Sequence, residues 1–143
     1  MKRIRLFEII GLLILLSLTG VACASSVGNE DELAGVTWVL KSYGDPDALK
    51  TAVAERETTL SFNKETGKVG GNGGVNTYSG DYDVDGDKLT VSSIVSTKIA
   101  GPEPLQSQEN TFFRILQSAQ TYDVDDQELT ITGTDGVLVL TKK

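Results

Sequence analysis

The chain has 143 residues and a formal net charge of −7, with 20 acidic against 13 basic side chains, one cysteine and no histidine. This length supports one hydrophobic core rather than two, and the acidic balance disfavours nucleic acid and anionic headgroups as partners. A single cysteine excludes an internal disulfide, and without histidine the chain lacks the commonest metal ligand and the base of a Ser–His–acid triad.

The first 22 residues read as a signal peptide. Lys2, Arg3 and Arg5 form a positive head, and Ile9 to Ala22 is an uncharged apolar run. Its fourteen residues, at about 1.5 Å each, fall short of the roughly 20 that cross a bilayer. Cys23 follows small Gly20, Val21 and Ala22, a pattern similar to the lipobox of bacterial lipoproteins, although Gly20 stands where leucine is usual. Ordinary cleavage after Ala24 is the competing model. We read Cys23 as the lipidation site and 23–32 as a flexible tether rich in small and polar residues. The leader holds three of the 13 basic and one of the 20 acidic side chains, which leaves the rest at −9.

The domain is expected over 33–143. Thr37 to Leu40 is β-branched and aromatic and suits a first strand, and Gly44 to Asp47 a turn. Thr58 to Phe62 alternates, with Leu60 and Phe62 inward. Asn63 to Gly67 turns, and Lys68-Val69 starts another strand. Gly70 to Asn76 is the oddest stretch, with four glycines. Tyr82 and Val84 alternate into an Asp85-Gly86 turn, and Leu89 and Val91 return. Leu105 to Gln120 is the only good helix after the leader: Leu105, Gln108 or Glu109, Phe112, Leu116 and Ala119 recur at helical spacing. Pro104 suits its first turn.

Tyr82 to Val91 is echoed forty residues later by Tyr122 to Ile131, with an acidic turn in each copy. Val137 to Leu140 closes the chain as a strand. The expected architecture is mainly β with one packed helix (α+β character): six to eight strands forming a curved antiparallel sheet or small barrel.

These features resemble the META/HslJ domain family, many of whose bacterial members are envelope lipoproteins. The resemblance rests on Gly35 to Leu40, Thr59 to Phe62, Gly70 to Asn76 with Tyr78 and Gly80, and Tyr82 to Leu89. It continues through Thr97 to Pro102, Glu109 with Phe112 and Leu116, and the last hairpin. It implies one compact β-rich domain and no established catalytic activity. It also marks Gly73, Gly74, Asn76, Tyr78, Gly80 and Glu109 as family-motif positions. Two departures stand out. Val75 and Gly101 occupy positions where the family often has cysteine, so any cross-link between those regions is missing.

Several sites can be weighed on chemistry. Gly70 to Gly74 could offer backbone N–H groups to an anion, but close backbone passage or a bulge explains it better, since no P-loop or dinucleotide fingerprint follows. Asp81, Asp83, Asp85 and Gly86 imitate the start of a calcium loop, yet position 12 is Ser92 and the segment alternates as a strand. Asp123, Asp125, Asp126 and Glu128 are read in the same way, as a solvated hairpin face. Ser79, Ser92, Ser93 and Ser96 with Lys98 make an unconvincing Ser–Lys pair. Glu109 is expected at a helix cap or on the surface.

The chain is therefore expected not to be an enzyme and to need no cofactor or metal. The reading is an exported protein, lipid-anchored to a bacterial cell membrane, with a structural or protein-interaction role in envelope stress tolerance and an unknown envelope protein as partner. Trp38, Tyr43 and Tyr78 would serve as contacts if exposed. The alternative is a small-ligand module using the open end or interior of the sheet, which a connected apolar cavity would favour.

Overall fold

The computed structural model describes residues 29–143. The segment read as a leader, its expected cleavage site and the proposed lipidation site Cys23 lie outside the described residues. In chain order the elements are α1 (Glu30–Leu33), β1 (Thr37–Asp45), β2 (Ala48–Thr51), β3 (Thr59–Asn63), β4 (Lys68–Asn72), β5 (Thr77–Asp85) and β6 (Lys88–Ser96). They continue with α2 (Glu103–Gln117), β7 (Ala119–Asp125), β8 (Glu128–Gly133) and β9 (Gly136–Lys142).

The strands run as an antiparallel meander that closes when β1 pairs with β9, with Trp38 opposite Lys142 and Leu40 opposite Leu140. The other edge of β1 is shared. Thr37 to Val39 pair with β3, and Ser42 to Asp45 pair with the short hairpin strand β2. Closure removes most free edges, the usual hazard of an all-antiparallel sheet. The weak seam is β6 to β7, joined by the single register pair Lys88 and Thr121.

Alternation decides which side chains fill the barrel. Trp38, Leu60, Leu129, Ile131, Leu138 and Leu140 are buried from the strands, and Phe112, Ile115 and Leu116 from α2. Burying each such side chain contributes roughly 1.5–3 kcal/mol. Helix α2 crosses the barrel end that carries the β4–β5 and β8–β9 turns. Leu105 reaches toward Gly74 near its start, and Ile115 toward Gly136 near its finish. The opposite end is closed by α1: Leu33 is fully buried, its carbonyl accepts the Trp38 indole N–H at 3.1 Å, and the Tyr82 hydroxyl donates to Glu30 at 2.9 Å.

The two echoed hairpins use the same geometry. Gly86 and Asp126 occupy equivalent turn positions with φ of 63° and 53°. Glycine adopts that region without penalty, and aspartate is among the few side chains that tolerate it.

Some expectations are revised. The segment assigned to the tether ends in structure, because Glu30 to Glu32 lie in α1. Strand β2 was not anticipated; every residue in it is exposed, so no apolar alternation marks it. Helix α2 ends at Gln117 rather than Gln120, because Ala119 and Thr121 pair with Gly133 and Thr132. Trp38, Tyr43 and Tyr78 are buried and are not available as contact residues.

Candidate functional site

The glycine-rich loop between β4 and β5 packs against the first half of α2. Glu109 lies on the buried face of that helix and is 2% exposed, not on the surface as its charge suggested. Its Oε2 accepts the backbone N–H groups of Val75 at 2.9 Å and Asn76 at 2.6 Å. Its Oε1 accepts the Asn76 side-chain amide at 2.7 Å and the Gln106 amide at 3.2 Å. A buried carboxylate is costly unless its lone pairs are met, and here four donors meet them. Successive backbone N–H groups in a turn form an anion-binding concavity. The loop does receive an anion, and that anion is the protein's own Glu109.

Asn76 completes the arrangement. Its amide also donates to the Ile99 carbonyl at 3.1 Å, and its Oδ1 accepts from the Ile99 N–H at 2.7 Å and the Thr97 hydroxyl at 2.8 Å. One asparagine therefore satisfies both side-chain donors and both acceptor sites while tying three segments together. Beside it, the Thr58 hydroxyl donates to the Gly73 carbonyl and accepts from Gln108, both at 3.0 Å, and Gln108 Oε1 accepts the Val53 N–H at 2.7 Å.

The motif glycines leave room for this clasp. A Cβ at Gly73 would lie 2.6 Å from Glu109 Oε2 and 2.8 Å from the Phe113 ring. Gly74 has φ of 111°, a conformation closed to most side chains. At Gly80 a Cβ would meet the Ser92 carbonyl at 2.8 Å, where β5 and β6 shift register and Ser93 takes φ of 54°. Tyr78 is 5% exposed, donates to the Thr59 carbonyl at 2.8 Å and packs edge-on against Phe112 and Phe113. Burial pushes its phenol well above the ordinary value.

The structure thus brings Gly73, Gly74, Asn76, Tyr78 and Glu109 together, and places Gly80 at the neighbouring bulge. Sequence reasoning underrated Gln108 and Glu109. Their position between Leu105 and Phe112 on one helical stripe was the available signal. Val75 and Gly101 also meet: a Cβ at Gly101 would lie 3.2 Å from the Val75 Cβ and 2.5 Å from its Cγ2. The pairing implied by the family's cysteines is spatially real, and here it is an apolar contact.

Two surface clefts flank the clasp. One, of about 410 Å³, lies between Val75 and Leu105 and is rimmed by Glu55 and Arg56. The other, of about 360 Å³, lies between the 96–100 segment and Asn110 and Phe113 on α2. The barrel interior itself is filled by Leu60, Phe62, Leu89, Phe112 and Leu116, none more than 3% exposed. Among the described residues no cluster of acidic or thiol side chains is arranged to hold a metal. Asp81 is instead ion-paired with Lys68 across the strands. No described helix is long and apolar enough to cross a membrane.

The closed meander, the capping helix and the clasped glycine loop define a fold class that comparison with known proteins makes specific. The META domain profile matches residues 31–143, and the chain belongs to the META domain family. A protein from Burkholderia xenovorans solved by NMR is similar at a TM-score of 0.69 and 20% identity, over 79% of this chain and 85% of that one. A DUF4847 family protein from Bacteroides vulgatus, solved by crystallography, is similar at a TM-score of 0.59 and 17% identity, over 80% of this chain and 96% of that one. At these identities the likeness concerns the fold. No curated protein matches the chain.

Proposed function

We propose that this is an exported envelope protein, held at a bacterial membrane by lipid on Cys23, whose META domain works through its outer surface. Its role is structural or protein-interacting, in tolerance of envelope stress, and it is not an enzyme. The observation that carries this reading is the filled interior. A barrel whose centre is occupied by Leu60, Phe62, Leu89, Phe112 and Leu116 has no chamber for a ligand. Its one buried carboxylate among the motif residues, Glu109, has its oxygens engaged by four donors and no lone pair set aside for a substrate proton.

The anchor is tested by intact mass after expression with the native leader. An acylated mass beginning at Cys23, with release into solution by Cys23→Ser, supports it. An unmodified mass, or membrane retention of the Cys23→Ser protein, contradicts it. The interaction role is tested by crosslinking on native membranes, where a defined protein partner is expected.

A second reading is a small-ligand module, supported by the cleft beside Val75 and Leu105, where exposed Ile99 adds apolar surface. That site lies outside the barrel, not in its interior or an open end. Saturable binding of a small apolar compound that shifts Ile99 and Leu105 resonances would favour it.

A further inference from the structure

Strand β6 pairs with β5 from Lys88 to Ser92 and again at Val95 and Ser96, but its other edge is in register with β7 only at Lys88. From Thr90 to Ser96 no hydrogen bond joins that outer edge to any other described segment. The chain turns away into α2 instead of supplying another strand, so a short stretch of backbone N–H and C=O groups on this edge has no strand partner. Native sheets protect such edges with charge, proline or coverage. Thr90 to Thr97 contains no charged residue and no proline, and its one irregularity is the bend at Ser93. Val95, on this stretch, is 66% exposed, the most exposed of the large hydrophobic residues described.

We propose that this edge is a strand-addition site for an extended, cationic segment of a partner protein, a proposal that rests on the interaction reading above. Backbone groups along the edge recognise any extended chain, whereas the surrounding charge selects its sign. Asp83 on β5 stands opposite Thr90, and Asp85 opposite Lys88. Neither carboxylate has an ion-pair partner within the described residues. These carboxylates lie one strand further in, on β5, so it is their field and the net acidic charge of the chain that draw a cationic added strand. A second copy of the chain is disfavoured because each copy without its leader carries −9 and the bend at Ser93 interrupts a continuous register.

The test uses the full chain in non-ionic detergent and a blocked peptide of alternating lysine and valine. Binding is expected to slow amide exchange in Thr90 to Ser96 and to weaken with salt. Val95→Lys should weaken it about tenfold, while Val95→Glu should preserve or tighten it. Val95 is largely exposed, so both variants should fold as the parent does. Protection that falls elsewhere, or equal affinity of the Lys and Glu variants, overturns the edge while leaving an interaction role standing. Self-association abolished by Val95→Lys also overturns it, by assigning the edge to a second copy. Absence of peptide binding overturns the edge, and absence of any native crosslinked partner as well would sink both readings.

Discussion

Glu109 and Asn76 grip each other twice: one carboxylate oxygen takes the asparagine backbone N–H at 2.6 Å, and the other takes its side-chain amide at 2.7 Å. The two residues are 33 positions apart, on a helix and a loop that the sequence separates by two strands. Their contact fixes the glycine-rich loop to the element that caps the barrel.

Glu109→Gln should therefore destabilise the fold by about 2–4 kcal/mol, because an NH2 group must replace one acceptor among four donors. Asn76→Asp should do at least as much, since it sets a second carboxylate where the amide donated. Chemical denaturation with unchanged m-value checks both.

Gly73 and Gly86 separate two reasons for glycine. Gly73→Ala drives a methyl into Glu109 and Phe113 and should cost about 2 kcal/mol or more. Gly86→Ala meets nothing within 4 Å and carries only the positive-φ penalty of about 1 kcal/mol. Thermal melts of the two variants should rank in that order.

The contact between positions 75 and 101 makes a disulfide accessible. Val75→Cys with Gly101→Cys should oxidise spontaneously, since the Cβ separation of 3.2 Å needs only a few tenths of an ångström of relaxation. Closing that loop should add up to about 3 kcal/mol, lost on reduction. Mass shift on alkylation and melts with and without reductant report it.

All four tyrosines have phenols raised above their ordinary value of 10.0, chiefly by burial. A proton-bound form favoured by the fold makes stability complete below pH 10. Above that, the unfolded chain loses phenolic protons first, and stability falls as pH rises. Absorbance of tyrosinate should appear late and steeply, together with loss of β-sheet circular dichroism.

Much of the barrel was legible because inward residues recur at period two. Leu60 with Phe62 and the echoed pairs Tyr82–Val91 and Tyr122–Ile131 announce hairpins directly. Strand β2 was not legible, since it buries no face and exists only through its hydrogen bonds to β1. Glu109 was seen at a motif position but misplaced, because its charge argued for water while its place in the apolar stripe argued for burial. Only the distant donors at Val75 and Asn76 resolve that conflict, and the chain order does not show them side by side.

The central claim is that the glycine loop is a fixed clasp closed on Glu109, not an open cradle awaiting a ligand. Amide hydrogen exchange at Val75 and Asn76 tests it most directly. The account predicts exchange as slow as that of the core strands, reached only through global unfolding. Exchange at the rate of a free loop, with the rest of the barrel protected, would contradict it.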